Sequence, residues 1–232
     1  MRKSSRPLCL EWAAGAVLSL VCHLQSAPVD STVDLSALKT CLEARRNIKT
    51  ISADFTQTRA LKTLKSPIAV KGHFWFAAPD RFRWQLGDPP KTIIIGAKEG
   101  NMVIHPSTKH AAKNSLPNPE NSANRQTFQM VGLSGAGTLE EFQKHMNVLS
   151  LKTSGTRCHL EMLPKDPAAS RGLSSINLDF DAGSGQWIGF EIVTREGSLI
   201  RTELNNVRTN SVIPGGVFDY DLRGFTVDHE KK

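Results

Sequence analysis

At 232 residues, 39% hydrophobic and 22% charged, the chain is long enough for one large domain or two small ones and too polar for a membrane bundle. Its formal charge of +7 comes from Lys and Arg scattered without a block, which suits loose attraction to anionic lipid or an acidic partner. There is no recognition helix and no basic–aromatic repeat, so nothing marks the chain for nucleic acid.

The N-terminus reads as an export signal. Arg2, Lys3 and Arg6 form a positive start, Trp12–Val21 an apolar run too short to cross a bilayer, and Ser26 and Ala27 a small-residue cleavage region. Glu11, Gln25 and Pro28 depart from the usual pattern. A lipoprotein signal ending at Cys22 is opposed by the bulky Val21, and a buried N-terminal helix is the other alternative. The expectation is a signal peptide over 1–27 and a single exported, soluble, monomeric domain over 28–232. Cys9 and Cys22 leave with the signal. Cys41 and Cys158 remain, a candidate disulfide in an oxidising compartment or else two buried thiols.

From Asp34, a candidate N-cap, Leu35, Leu38, Leu42 and Ile48 recur at helical spacing. Lys39, Glu43, Arg45, Arg46 and Lys49 form the charged side. The period then changes to two. Ile51, Ala53 and Phe55 alternate with polar neighbours, and "IAVKGHFWF" follows the "KSP" turn. "RFRWQL" puts Phe82, Trp84 and Leu86 on one face, and "TIIIGA" and "NMVIHP" are joined by a short Gly turn. Five of the aromatic residues fall within Gly72–Trp84. Residues 113–126 read as a polar, Asn- and Pro-rich loop. After a Gly-rich stretch, Thr138 and Glu141 have capping-box spacing, starting a short helix with a Leu139, Phe142 and Met146 stripe. Further strands follow in "HLEMLP", "SSINLDFD", "WIGFEIVT", "SLIRTELNNV" and "VFDYDL", the last placing Phe218, Tyr220 and Leu222 on one face. The total is about ten or eleven strands with no βαβ unit. This predicts a mainly β fold with some helix, an antiparallel sheet that must curl into a barrel or half-barrel, or pack on helices, to bury its apolar face.

No catalytic or metal-binding constellation stands out. The histidines lack metal-ligand spacing, "GLSGAG" has Ala136 where a nucleophile elbow needs Gly, and there is no phosphate-binding loop. No cofactor is expected, and the chain reads as a binder rather than an enzyme.

The ordered set of features carries a resemblance. Phe55-x-Gln57, Gly72 with an aromatic-rich strand, Pro79, Phe82-x-Trp84, an apolar strand, and the late strands through "VFDYDLRGFTVD" resemble the periplasmic lipoprotein carrier family called LolA, over roughly residues 34–229. The resemblance implies an unclosed β-barrel covered by helices. It implies a hydrophobic interior for the acyl chains of a lipoprotein; the alternatives are a carrier or sensor of another acyl lipid or glycolipid, or a non-catalytic cell-envelope scaffold domain. The implied partners are an inner-membrane ABC-type release complex and an outer-membrane acceptor. Phe82 and Trp84 match the family's aromatic pair. Strand alternation adds Phe55, Phe74 and Phe76 to the expected cavity lining, and Ile93, Ile95, Met102 and Ile104 from the next two strands. Leu38, Leu42, Phe142 and Met146 are the expected lid contacts. Well-known members have an Arg latch just before the matching Pro. Here that residue is Ala78, and Arg59, on the face of Phe55, is the candidate replacement.

Overall fold

A computed structural model describes residues 33–97, 100–115 and 137–229. The expected signal peptide and most of the segment between 113 and 137 lie outside the described residues. Twelve strands form one sheet: β1 (Thr50–Ala60), β2 (Ile68–Ala77), β3 (Arg81–Leu86), β4 (Thr92–Ala97), β5 (Gly100–His105), β6 (His110–Ser115), β7 (Met146–Ser154), β8 (Arg157–Pro164), β9 (Leu173–Asp181), β10 (Trp187–Thr194), β11 (Leu199–Thr209) and β12 (Thr226–His229). Their spatial order is β12-β6-β5-β4-β3-β2-β1-β11-β10-β9-β8-β7. Every neighbour pair is antiparallel except β12 on β6, and no pairing among the described residues joins the β7 and β12 edges. The sheet is an unclosed barrel, as its alternating apolar face requires.

Among the described residues three α-helices accompany it: α1 (Ser36–Arg45), α2 (Leu139–His145) and α3 (Pro167–Ser170). Asp34 accepts from the Ser36 N–H at 2.9 Å just outside the N-cap, Leu35. Thr138 caps α2 through its hydroxyl, which accepts from the Glu141 N–H at 3.1 Å. Met146 is not on the helical stripe. It opens β7 opposite Pro164 and is buried there.

Two stretches differ from the sequence reading. β6 carries the chain through Lys113 to Ser115, where a loop is expected. "VFDYDL" is not a strand: turns and irregular backbone run from 215 to 224, and the closing strand is β12. Two of its carbonyls find a side-chain donor instead of a ladder, because Arg83 Nη1 donates to Val217 O at 3.0 Å and to Asp219 O at 3.5 Å.

Both faces of part of the sheet are therefore covered. The larger core lies between the inner face and α1, with Leu38, Cys41 and Leu42 against Phe55, Phe74, Phe76, Phe82 and Trp84. Leu139 and Phe142 of α2 pack beside them. A smaller cluster lies outside, where Ile93, Ile104 and Ala111 are capped by Tyr220, Leu222, Phe225 and Val227. That C-terminal segment crosses the outer face to reach β6.

Gly72 is required where the first two strands meet the aromatic core. It pairs with Phe55 and Leu86, and a Cβ there would lie 2.2 Å from the Phe55 ring and 2.3 Å from the Gln85 carbonyl oxygen. The ring could turn, but the backbone oxygen cannot. Gly72→Ala is expected to destabilise by about 3 kcal/mol, the upper end for overpacking, measured as an earlier midpoint in urea unfolding. An unchanged midpoint would show that the strands yield.

The inner aromatic wall and its helical cover

Strand register decides which side chains meet the interior. Cross-strand partners share a face, so Phe76↔Phe82, Phe74↔Trp84 and Trp84↔Ile94 form one inner surface from β2 to β4. Trp84 is its centre. Its ring stacks on Phe55 at 3.8 Å and 18°, with Phe74 at 5.6 Å and Phe190 at 6.3 Å. All four rings are buried, and each fully buried large side chain contributes about 1.5–3 kcal/mol by leaving water.

The nine residues expected to line one cavity divide between the two faces. Phe55, Phe74, Phe76, Phe82 and Trp84 stand inside. Ile93, Ile95, Met102 and Ile104 stand outside, because Gln85↔Ile93 and Arg83↔Ile95 continue the outward row and β5 follows with Ile93↔Ile104 and Ile95↔Met102. The inner positions on these strands are Ile94 and Val103, with Ala112 on β6, and all three are only half-buried. "TIIIGA" and "NMVIHP" are apolar in both phases, so alternation alone has no preferred reading there. The inner surface is thus sealed under β1–β3 and less fully covered under β4–β6.

Of the expected cover contacts, Leu38 and Leu42 project from α1 into the core, and Phe142 of α2 packs against it. Arg59 does not reach a helix through any bond described. Its Nε donates to Gln57 Oε1 at 2.8 Å, and Gln57 in turn reaches Thr202 at 3.3 Å. At the position of the family latch, Ala78 offers only its backbone, which donates to Lys49 O at 2.8 Å.

The polar tie of α1 is Arg45, which its charge groups with the solvent-facing residues of the helix. It is 3% exposed. Its Nη1 donates to Gly185 O at 2.8 Å, and its guanidinium sits 4.4 Å over the Trp187 ring. Gly185 sits at the β9–β10 turn with φ +68, a conformation L side chains rarely adopt. A Cβ there would also stand 3.0–3.1 Å from Ala44, Arg45 and the Cys41 carbonyl. The hairpin therefore makes room for the last turn of α1. Burial pushes the Arg45 pKa down to about 10, which still leaves it charged at neutral pH. The signal that could have found it is the spacing Leu38, Cys41, Leu42, Arg45, which continues the inward stripe by one turn.

Cys41 and Cys158 stand as two buried free thiols. Burial pushes the Cys41 thiol up to about 11, against the pull of Arg45 and the Trp187 indole. Outside, Trp75 is half-buried between His73 at 5.6 Å and Arg83 at 6.0 Å. His73, His110 and His159 each meet a carboxylate, Asp54, Asp228 and Asp179 respectively, at 2.7–2.8 Å. No helix among the described residues is long and apolar enough to cross a membrane.

A family model described as outer membrane lipoprotein carrier protein LolA matches residues 46–221. A curated outer-membrane lipoprotein carrier protein of Dechloromonas aromatica (strain RCB) is 19% identical over 176 residues, which are 75% of this chain and 78% of the relative. Among solved structures, an uncharacterised conserved protein of Thermus thermophilus shares the fold with a TM-score of 0.51 at 6% identity, over 84% of this chain and 97% of the other. A LolA superfamily protein of Nitrosomonas europaea aligns over 82% and 99% at 10% identity with a TM-score of 0.42. With its open antiparallel sheet, helices over an aromatic inner face and a match spanning most of its length, the chain belongs to the outer membrane lipoprotein carrier (LolA) family.

Proposed function

We propose that the protein is an exported, periplasmic carrier that holds the acyl chains of lipoproteins against its inner face and moves them from the inner to the outer membrane. The observation that carries this reading is the inner wall of Phe55, Phe74, Phe76, Phe82 and Trp84. It is closed by a ten-residue helix whose last turn is tied to the wall through Arg45. Burying an acyl chain is worth about 0.8 kcal/mol per methylene, so a lipid leaves a membrane only for a site of comparable apolarity. The closed state fills that site with its own rings, which keeps the wall from water when no cargo is bound. Cargo enters when α1 lifts, first along Ile94, Val103 and Ala112, where the inner surface is half-covered, and then over Trp84. The chain has no nucleotide-binding loop, so loading draws on a partner, an inner-membrane ABC-type complex, and unloading runs to an outer-membrane acceptor that binds the acyl chains better.

A second reading is a carrier or sensor of another acyl lipid or glycolipid. It rests on Ala78, which cannot supply the side-chain latch of the well-known carriers. Mass spectrometry of the organic extract of protein purified from the periplasm tests both. Co-purified lipopeptide is the expected result. Free acyl lipid or glycolipid supports the second reading, and an extract without acyl species contradicts carriage.

A further inference from the structure

Two thiols face the seam between the helical cover and the barrel wall. Cys41 lies on the inner side of α1, one turn before Arg45, with its carbonyl against Gly185 of the β9–β10 turn. On the wall, Cys158, Phe180 and Trp187 stand side by side on the inner face of β8, β9 and β10, through the pairs Cys158↔Phe180 and Phe180↔Trp187. Arg45 sits over Trp187, so α1 crosses the end of that row. The two thiols belong to the same core cluster, both lie within the electrostatic reach of Asp181, and Cys41 is also within reach of Cys158.

We propose that Cys41 and Cys158 form a redox modification site, in which oxidation to a disulfide fastens α1 to β8 and locks the cover over the inner wall. The inference rests on the carrier reading in one respect, that α1 is the element that moves. Cys158 is the less deeply buried of the two, 4% exposed against 1% for Cys41, and is the thiol that a disulfide-bearing oxidant meets first when α1 lifts. The Cys158 thiolate attacks one sulfur of the oxidant and expels the other as a thiolate, leaving a mixed disulfide. The Cys41 thiolate then attacks the Cys158 sulfur and expels the second oxidant thiolate. Two cysteine S–H groups become one S–S bond. The oxidant's S–S bond becomes two S–H groups, which take up the two protons and the electron pair. Bridging requires the two Cα atoms to come within about 7 Å, so a mispositioned α1 cannot be captured this way.

The test uses the full-length protein, with oxidised glutathione as the oxidant and dithiothreitol as the reductant. Peptide mapping without reduction is expected to recover a Cys41–Cys158 linked peptide from the wild type and from neither Cys41→Ala nor Cys158→Ala. Amide hydrogen exchange over residues 36–45 is expected to be at least about tenfold slower in the oxidised wild type than in the reduced one, and insensitive to oxidant in both variants. Absence of the linked peptide overturns the inference, and so does a linked peptide with unchanged exchange in α1. Neither readout uses acyl cargo, so a failure here is distinct from a failure of carriage, which the lipid extract reports.

Discussion

Replacing Arg45 by alanine is expected to loosen α1 from the barrel, raising amide exchange over residues 36–45 by about tenfold or more while β1–β3 remain protected. A hydrogen bond from a charged donor is worth about 1.5–3 kcal/mol. A desolvated guanidinium over an indole adds about 2 kcal/mol. Against these stands the cost of keeping the charge buried, which the lowered pKa of about 10 records. The net is expected to exceed the ~1.4 kcal/mol that corresponds to a factor of ten in the opening equilibrium, because the alanine also leaves the Trp187 ring without its cover. Arg45→Met separates packing from the polar tie, since it restores contact with the ring but cannot donate to Gly185. Its α1 exchange is expected to lie between those of wild type and alanine. If Arg45→Ala exchanges like wild type, α1 is held by its apolar contacts, Leu38, Cys41 and Leu42 first among them. The tie stays charged throughout the physiological range, so this effect is expected to be the same at pH 6 and pH 8.

The largest loss of stability is expected from Trp84→Ala, about 3–5 kcal/mol, read from the shift of the urea midpoint at constant slope. The indole touches rings from three other strands, Phe55, Phe74 and Phe190, and none of them can close the gap without leaving its own partners. Trp84→Phe keeps an aromatic ring against Phe55 and is expected to fold. It should retain less co-purified acyl lipid than wild type, because the removed ring was part of the wall. A Trp84→Ala protein within about 1 kcal/mol of wild type would show that the cluster is not the centre of the core.

The sequence made the fold legible because most strands alternate cleanly. Phe82 and Trp84 against Arg81, Arg83 and Gln85 leave one reading of β3, and that register carries its neighbours with it. It failed where both phases are apolar. In β4 and β5 the inward residues are Ile94 and Val103, but Ile93, Ile95, Met102 and Ile104 are just as apolar. They serve a second cluster that exists only because the C-terminal segment returns over the outer face. Nothing local in "VFDYDL" shows that it lies across strands rather than among them, since the deciding partner, Arg83, is more than a hundred residues away. Arg45 was hidden for another reason. A charged residue at the end of an amphipathic helix is ordinarily solvated, and only the opposing hairpin, with its open Gly185 and stacked Trp187, makes burial tolerable.

On the carrier reading, cargo lies on the inner face and not the outer one. Val103 and Met102 are neighbours on β5 that point to opposite faces, and both are half-buried. A photoactivatable benzoyl-phenylalanine at each, irradiated in cells labelled with a tagged fatty acid, compares the two faces in one strand. An acylated adduct is expected from position 103 and none from position 102. An adduct from 102 with none from 103 would contradict it.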